Sequence, residues 1–318
     1  MTLSARVAAI VVSYNVRELL LACVGSLHEA QCREELDAIV VVDNASRDGS
    51  ADAVRSRFPG VSVIEAPNRG YGAGANVGIA ATSQEYVLIL NPDTVVPAGT
   101  IAALVALLDE RPDIALAGPR LRYPGGGTQP TRRRFPERFT PLFESTILEE
   151  WWPGNRWARR FHMRDDMVAG DVPQEVDWVV GAAMLVRRAT IERAGGFDES
   201  FWMYSEEVEW CWRFRQHGWK VAYVPAVEIL HYEGASTSQD IPARQVEFDR
   251  SRVRLARRMY GHRTAAVVRF GLLGGYVLQI IREGTKWMLG HRRALRRTRI
   301  RLYAGALRSG LRERDRFV

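Results

Sequence analysis

The N-terminal third of this chain repeats one pattern, in which a short apolar run leads into a polar turn and then an amphipathic stretch. The apolar runs begin at Val7, Ala38, Val61 and Tyr86. The intervening stretches have helical length, and strands separated by helices form crossovers into a parallel sheet. We therefore predict an α/β fold whose polar turns meet at the carboxyl edge of a mostly parallel sheet flanked by helices. Such edges are where these folds bind ligands.

The fourth apolar run ends abruptly in Asn91-Pro92-Asp93. Proline disfavours the helical conformation for Asn91, so an extended turn would project Asn91 and Asp93 to the same side. Two oxygen ligands then face one point, which suits a divalent cation that also holds phosphate oxygens, such as Mg²⁺ or Mn²⁺. Taken alone, the motif is equally compatible with a plain turn that has an Asx cap.

The other polar turns suggest a nucleotide ligand. Asp43 follows the second run directly, where it either accepts hydrogen bonds from a ribose or base, or caps the next helix. The glycine-rich segment 70–78 lets backbone approach a phosphate at a helix N-terminus, although such segments are often plain turns. The first turn, residues 13–15, lacks the glycines of a dinucleotide-binding fold, which disfavours an oxidoreductase.

Seven segments in order along the chain resemble the inverting family-two glycosyltransferases, in particular bacterial rhamnosyltransferases. They read SYN, VVVDNASRDGS, NRGYGAGANVG, LNPD, DWVVGAAMLVRR, GGFDESFWMYSEEVEWCWR and LHYEGAS, and extend over roughly Val7 to Ser238, about three quarters of the chain. An ordered series is far more specific than any single motif. The resemblance implies a type A glycosyltransferase fold that binds a nucleoside-diphosphate sugar and a divalent metal ion.

The resemblance also implies roles for individual residues in binding the donor and the metal. The expected donor-nucleotide contacts are Ser13, Tyr14, Asn15, Asp43, Asn44, Arg69, Gly70, Asn76 and Asn91. The expected metal ligands are Asp93 and His231. Many relatives carry aspartate at the position of Asn91, so we expect the single carboxylate to bind the metal more weakly and the donor diphosphate to share the coordination.

Transfer with inversion needs a carboxylate to take the proton from the acceptor hydroxyl. By similarity that base is Glu207, with Glu206 as a substitute, because the family usually carries the shorter aspartate at position 207. The expected acceptor and sugar contacts are Trp178, Gly181, Ala182, Trp202 and Glu209. Two alternatives remain: the small residues 181–183 also suit a tightly packed strand, and the acidic run also suits a helix start, where Glu209 would pair with Arg213.

Charge divides the chain into two parts. From Ile241 onward there are 20 Lys and Arg against 5 Asp and Glu, a net charge of +15; since the whole chain carries +7, residues 1–240 carry −8. We predict a catalytic domain over 1–240 and a basic helical segment over 241–318 with helices near 243–260, 265–288 and 292–311. Its apolar stretch, Phe270 to Ile281, is shorter than the roughly 20 residues of a membrane span, so we expect it to lie in the membrane interface. The alternative is helices packed on the catalytic domain with a solvated basic face.

The remaining predictions concern location and partners. An odd number of cysteines and the absence of a secretory signal predict a cytoplasmic protein, peripheral on the inner face of the plasma membrane.

The donor would be a dTDP- or UDP-sugar, with rhamnose or another hexose, and the acceptor a glycan or a polyprenyl-diphosphate-linked sugar in cell-surface polysaccharide synthesis. No nucleic acid is expected. The alternatives are a nucleic-acid-binding protein that uses the Arg-rich tail, and a non-catalytic nucleotide-sugar-binding scaffold. The insertion 123–176 suits either an acceptor loop or a lid.

Overall fold

The computed structural model describes residues 6–166, 170–232 and 241–312, with side chains in the last range described from residue 244. The strands are Val7–Ser13 (β1), Ala38–Asp43 (β2), Ser62–Glu65 (β3), Tyr86–Leu90 (β4), Thr94–Val95 (β5), Ile114–Arg122 (β6), Arg132–Arg133 (β7), Gln174–Val176 (β8), Trp178–Val179 (β9), Ala183–Arg187 (β10) and Lys220–His231 (β11). The helices are Arg17–Cys32 (α1), Ser50–Arg57 (α2), Tyr71–Ala80 (α3), Thr100–Glu110 (α4), Thr140–Phe143 (α5), Ile147–Trp151 (α6), Arg156–Phe161 (α7), Arg188–Ala194 (α8), Glu206–Gln216 (α9), Ile241–Tyr260 (α10), His262–Met288 (α11) and Arg293–Ser309 (α12).

The large sheet has the strand order β3-β2-β1-β4-β10-β6-β11-β5, and β8 pairs with β11. The pairs β3-β2, β2-β1, β1-β4 and β6-β11 are parallel, while β10 is antiparallel to both of its neighbours. Because β10 reverses direction between β4 and β6, those two strands also point the same way. The prediction of a mostly parallel sheet flanked by helices is confirmed.

The core of the sheet follows from its apolar runs. Every residue of β1 and β4 is buried, as expected for strands covered on both faces. Leu20 and Leu27 of α1 and Leu104 of α4 belong to the same buried cluster. Removing such side chains from water stabilises the fold by about 1.5–3 kcal/mol each.

We expected the glycine-rich segment 70–78 to form a loop, but most of it is helical. Helix α3 begins already at Tyr71, so most of these glycines lie inside it. A Cβ at Gly78 would collide with Ile10, and one at Gly74 would lie 2.8 Å from Val12. The glycines therefore allow α3 to pack closely against β1, and their spacing serves helix–sheet contact.

The chain divides into two compact units. The first comprises the described parts of Met1–Phe135, Asp166–Trp202 and Glu206–Gln239. The second comprises Pro136–Asp165, Met203–Ser205 and the described part of Asp240–Val318. Residues 136–165 of the insertion thus pack with the C-terminal helices. The division into domains 1–240 and 241–318 stays a prediction, because compactness alone does not establish independent folding.

The second unit contains the three predicted C-terminal helices, and each begins and ends within a few residues of the expected positions. Val268 and Leu272 of α11 pack in one apolar cluster with Ala306 of α12. Glu283 of α11 is fully buried and accepts a 2.7 Å hydrogen bond from Arg296 of α12. These contacts hold α11 and α12 side by side.

Helix α11 is longer than its apolar centre. Among the described residues it is the helix that is long and apolar enough to cross a membrane, with 27 residues and a mean hydropathy of 1.6 over an 18-residue window. The helix bounds agree with the predicted 265–288, but the apolar window is longer than the twelve residues from Phe270 to Ile281. The length of the segment therefore does not exclude a membrane span.

Candidate active site

The carboxyl ends of β1 and β2 bring three predicted donor contacts together. Ser13 and Asp43 pair directly in the parallel ladder, and the Asn44 amide donates a 2.8 Å hydrogen bond to the Ser13 carbonyl. All three side chains are buried. Yet Ser13 Oγ, Asp43 Oδ2 and Asn44 Oδ1 have no hydrogen-bond partner among the described residues. Buried oxygens of this kind are costly unless a polar group satisfies them, so they mark a place for a polar ligand.

The other oxygen of Asp43 organises the loop after β2, where Oδ1 accepts a 2.7 Å hydrogen bond from the Ser46 amide. Asn15 bonds the same loop through its own amide, which donates to Ser46 Oγ at 2.9 Å. The first amide of α2 donates to Asp48, so Asp43 does not cap that helix. Tyr14 is 40% exposed beside this loop, and its ring is available for stacking.

Gly70 permits a close backbone contact. Its φ is +104°, and a Cβ there would collide with the Trp202 carbonyl. The same carbonyl accepts a 3.0 Å hydrogen bond from the Tyr71 amide. Only glycine fits this position, and it places the partly exposed Trp202 beside the start of α3.

Asn76 and Arg69 contact the segment that precedes Trp202. The Asn76 side chain accepts from the Phe197 amide at 2.8 Å and donates to the Phe197 carbonyl at 2.9 Å. Arg69 is exposed and forms a 3.4 Å ion pair with Glu199. The amide of Asn76 is thus engaged in holding the turn at residue 197.

Asp93 and His231 meet at the edge of the sheet, because β5 and the end of β11 pair antiparallel with His231 opposite Thr94. Both side chains are buried, and His231 Nε2 lies 3.3 Å from Asp93 Oδ1. The Tyr232 amide donates to the Asp93 carbonyl at 2.9 Å, which fixes the two backbones together. The two predicted metal ligands therefore adjoin.

Gln129 determines which nitrogen of His231 faces Asp93. The Gln129 amide group donates to the His231 carbonyl at 2.7 Å, so its Oε1 is the atom 2.8 Å from His231 Nδ1. That oxygen can only accept, so Nδ1 carries a proton. In the neutral ring the lone pair of Nε2 then points toward the Asp93 carboxylate. A cation between them suits this arrangement, and a carboxylate with an oriented imidazole is a donor set for Mn²⁺ or Mg²⁺.

The protein supplies only part of a coordination shell at this place. Within the described ranges no group of three or more His, Cys, Asp or Glu side chains is placed to hold a metal ion. Asn91, half-buried at the end of β4, donates its backbone amide to the Ala182 carbonyl at 2.9 Å. The residues fit a divalent ion that takes its remaining ligands from a bound diphosphate and water.

Glu206 and Glu207 open α9, and each has a buried carboxylate oxygen. Glu206 is 6% exposed, and a Cβ at Gly181 would lie 3.5 Å from Glu207. Glu206 Oε2 and Glu207 Oε2 have no hydrogen-bond partner in the part of the chain that is described. Tyr71 of α3 donates to the Gly181 carbonyl at 3.2 Å, so Gly181 adjoins both α3 and Glu207 of α9. A group with a transferable proton would find an acceptor here.

The surroundings shift the pKa values of both acids upward. Burial raises the pKa of Glu207 to about 7, although backbone hydrogen bonds, one of them from Gly181, and the charge of Arg133 lower it. Burial, and then the neighbouring Glu207, raise the pKa of Glu206 well above its usual value. Burial also raises the pKa of Tyr71, and three carboxylates add to it: Glu206, Glu207 and Asp93. The glutamate pair and Asp93 therefore all lie close enough to Tyr71 to affect its pKa.

The remaining acceptor-side residues are mostly enclosed. Trp178 is 6% exposed and donates to the Arg134 carbonyl at 2.9 Å, and Ala182 is 1% exposed. Glu209 is fully buried and accepts two hydrogen bonds from Arg213, at 2.9 and 2.8 Å. Of the two roles considered for Glu209, the structure shows the pairing with Arg213.

Three residues near the site carry no predicted role. Gln129 follows a glycine run without any motif, and Arg133 belongs to an arginine run that reads as a charged surface. Tyr71 lies inside the glycine-rich segment, whose pattern indicates a role for the glycines and none for the tyrosine. Their contacts come from distant parts of the chain, so no local pattern identifies them.

Comparison with known proteins agrees with these features. The chain is 31% identical over 215 residues to an N-acetylglucosaminyl-diphospho-decaprenol L-rhamnosyltransferase of Mycobacterium tuberculosis, an alignment that covers 64% of this chain and 69% of that protein. It is 23% identical over 197 residues to a rhamnosyltransferase of Escherichia coli, covering 55% of this chain and 65% of that one.

The fold is also similar to a solved structure, a mannosyltransferase from Pyrobaculum calidifontis in complex with GDP-Man and Mn²⁺. The TM-score is 0.54 at 19% identity, over 97% of this chain and 86% of that chain. This similarity supports the predicted type A glycosyltransferase fold. The model of the family called glycosyl transferase family 2 matches residues 8–172, more than half of the chain. The chain therefore belongs to glycosyl transferase family 2, as its motifs predicted.

Proposed function

We propose that this glycosyltransferase is a metal-dependent, inverting rhamnosyltransferase. It moves rhamnose, or a related hexose, from a dTDP- or UDP-linked donor to a polyprenyl-diphosphate-linked sugar or another glycan in cell-surface polysaccharide synthesis. The observation that carries the proposal is that Asp93, which adjoins His231, and the glutamate pair all lie near Tyr71, with the pKa of Glu207 raised by burial to about 7. The choice of sugar and acceptor rests on the relatives, of which the mycobacterial one is named for both.

The donor nucleotide would occupy the edge between β1 and β2. Ser13 Oγ, Asp43 Oδ2 and Asn44 Oδ1 lack partners among the described residues, and a ribose or base supplies donors of matching type. Tyr14, exposed at this edge, would stack on the base. Asn76 contributes through the fold, because its amide already holds the turn at residue 197.

Asp93 and His231 would hold the metal ion together with the donor diphosphate. When bound, such an ion neutralises the negative charge that develops on the leaving diphosphate. Gln129 orients His231 for this purpose by accepting from Nδ1, as partners of metal-binding histidines usually do.

Glu207 would act as the general base. Its carboxylate takes the proton from the acceptor hydroxyl as the hydroxyl oxygen attacks the anomeric carbon and the bond to the diphosphate breaks. The Gly181 backbone and the charge of Arg133 favour its ionised form. The pKa of Glu206 is raised well above its usual value by burial and by Glu207, which makes Glu206 the poorer proton acceptor near neutral pH, so we assign it to shaping the electrostatics of the pair.

The pH dependence of transfer follows from this assignment. A general base works only when deprotonated, so with a pKa of about 7 for Glu207 we expect kcat to be level above pH 8. Below pH 7, kcat should fall by about tenfold per pH unit. A pH profile of kcat at saturating donor and metal checks this. A profile that stays flat down to pH 5 would rule out a base with this pKa.

Gln129→Leu should weaken Mn²⁺ binding, because it removes the acceptor that orients His231. Loss of such a partner typically costs roughly 10- to 100-fold in metal affinity. Titration of Mn²⁺ in the presence of nucleotide measures the effect, with thermal unfolding as the check on folding. Gln129→Glu keeps an acceptor at this position and is the matched control. Equal Mn²⁺ affinity in Gln129→Leu and the parent would show that Gln129 does not position the ligand.

A screen of nucleoside-diphosphate sugars tests the function directly. A ligand that binds only the native state raises its stability, by about 2.7 kcal/mol at 100 times Kd. We expect metal-dependent thermal stabilisation by dTDP-rhamnose or a UDP-hexose. Stabilisation by duplex DNA, with none by any nucleotide sugar, would favour a nucleic-acid-binding protein.

We further propose that the second unit binds the inner face of the plasma membrane. Phe270 and Ile281 of α11 are 67% and 60% exposed. Helix α12, which packs beside α11, is rich in arginine, and burying those charges in a bilayer core would be costly. An interfacial position, with apolar side chains inserted and arginines at anionic headgroups, satisfies both helices.

Ile281→Asp should lower binding to anionic liposomes by roughly tenfold or more, because a buried apolar side chain contributes about 1.5–3 kcal/mol. Co-sedimentation with vesicles measures the change. Val172→Asp is the matched control, since Val172 is similarly exposed, at 64%, in unit one. An equal loss in both variants would place the membrane-binding surface elsewhere.

A further inference from the structure

The second unit contains a cavity of about 830 Å³. Its walls come from the insertion, around α5 and α6, and from α10, α11 and α12. The volume falls in the range of roughly 300–1,000 Å³ that is typical of ligand-binding pockets. Nothing in the proposed donor site or glutamate pair uses this space.

One part of the cavity is apolar. Leu142 and Ile147 of the insertion line it together with Leu272 and Leu302 of the C-terminal helices. Gly275 of α11 also lines it, and a Cβ at this position would be in ordinary van der Waals contact with Ile147, at 3.9 Å. The further atoms of a larger side chain at Gly275 would therefore compete with a bound molecule for space beside Ile147.

The cavity wall reaches the surface at one place. Leu295 lines the cavity and is 40% exposed. An apolar molecule can thus approach the cavity beside Leu295.

Two arginines border another part of the cavity. Arg282 and Arg299 both lie within 3.8 Å of Glu283, which also binds Arg296. Arg282 additionally pairs with Glu150. Three arginines thus share two glutamates at this border. The remaining acids of the lining are already paired, since Glu149 accepts from Arg164 and Asp249 from Arg252 and Tyr276.

We propose that this cavity binds a long-chain lipid with a phosphate or diphosphate head, the chain lying among the leucines and the head at Arg282 and Arg299. An apolar space bordered by Arg282 and Arg299, which share their carboxylate partner Glu283, matches such a molecule in both of its parts. The existence of the lipid site does not depend on the proposed function. Only the identity of the preferred lipid rests on it: for a polyprenyl-linked acceptor, the chain in the cavity is the polyprenyl chain of that acceptor. The site itself is defined by unit two alone.

Binding of decaprenyl phosphate to the full-length chain in detergent tests the site, with native mass spectrometry as the readout. Gly275→Leu fills the cavity and should lower the affinity at least tenfold. Gly274→Leu is the matched control, because a Cβ at Gly274 meets nothing within 4 Å and both variants change helix propensity equally. Unchanged binding in a folded Gly275→Leu protein, or an equal loss in both variants, would overturn the proposal.

A second variant keeps the test decisive if Gly275→Leu does not fold. Arg299→Gln should weaken decaprenyl phosphate binding severalfold and leave binding of the neutral alcohol decaprenol unchanged. Equal effects on the two lipids would contradict the assignment of the head. Phosphatidylglycerol competes with decaprenyl phosphate if the cavity takes lipids of the bilayer, and fails to compete if it selects the polyprenyl chain; both results support a lipid site and separate its sources.

The outcome is independent of the proposed function. Nucleotide-sugar binding in the presence of Mn²⁺, measured by thermal stabilisation on the same variants, reports on unit one only. Failure of lipid binding with intact donor binding would reject this inference alone. Failure of donor binding with intact lipid binding would reject the proposed transfer reaction alone.

Discussion

Glu207→Gln is expected to lower the rate of sugar transfer by roughly 10² to 10⁴. Glutamine keeps the size of the side chain and can still accept a hydrogen bond from the Gly181 backbone, but it cannot take a proton from the acceptor. Donor affinity should barely change, because the proposed nucleotide and metal contacts come from other elements. The loss should therefore appear in kcat, measured by steady-state kinetics with direct titration of the donor as a second measurement.

Two neighbouring variants serve as controls for Glu207. Glu206→Gln should change the rate far less, because Glu206, whose pKa is raised well above its usual value, is not the proton acceptor in this assignment. Glu209→Gln should mainly reduce stability, because Glu209 is fully buried and accepts two hydrogen bonds from Arg213. If Glu206→Gln abolishes transfer while Glu207→Gln stays active, the base is Glu206, and the longer side chain at position 207 is the physical reason.

Asp93→Asn is expected to lower metal-dependent transfer by roughly 10²-fold or more, since charge neutralisation by a metal ion contributes several kcal/mol. The change preserves shape and removes the negative charge that attracts the cation. Titration of Mn²⁺ with nucleotide present should show weaker binding in the same variant, which separates a metal effect from a direct effect on chemistry.

Asp52→Asn is the matched control for Asp93, because Asp52 is an exposed aspartate on α2. It should leave both Mn²⁺ binding and transfer unchanged. His231→Ala should resemble Asp93→Asn, since Nε2 lies 3.3 Å from Asp93. Parental Mn²⁺ titrations in both Asp93→Asn and His231→Ala would show that the metal binds elsewhere.

The sequence predicts the residues at the sheet edge well because parallel strands end at the same edge. Residues that follow separate apolar runs therefore lie close together. Buried apolar strands such as β4 end where polar residues begin, and parallel pairing then aligns Ser13 with Asp43. His231 reaches Asp93 because it ends β11, which pairs with β5 directly after Asp93. These positions depend on strand direction more than on detailed packing.

Other features depend on contacts that no local pattern encodes. The side chain of Asn76 resembles a ligand contact in the motif, yet its amide holds the turn at Phe197, which is distant in sequence. Gln129 bonds His231 across about 100 residues, and its neighbours show no motif. The glycines of α3 read as a phosphate loop because spacing alone does not distinguish ligand approach from helix packing.

The insertion and α11 show a second limit of sequence patterns. Residues 136–165 combine aromatic and basic side chains without a period, and only the folded chain shows that they pack with the C-terminal helices. The bounds of α11 were predicted closely, but its apolar window is longer than the twelve residues between Arg269 and Arg282. Arginine side chains can reach water or headgroups, so a charge does not mark the end of an apolar segment.

The most direct test of the central claim is a transfer assay with dTDP-rhamnose and a polyprenyl-diphosphate-linked N-acetylglucosamine, in which the product is detected by mass spectrometry. We predict addition of one deoxyhexose in the presence of Mn²⁺, inversion of the anomeric centre by NMR, and loss of the product with EDTA or in Glu207→Gln. Retention of the anomeric configuration, or transfer that persists unchanged both with EDTA and in Glu207→Gln, would contradict the proposed mechanism.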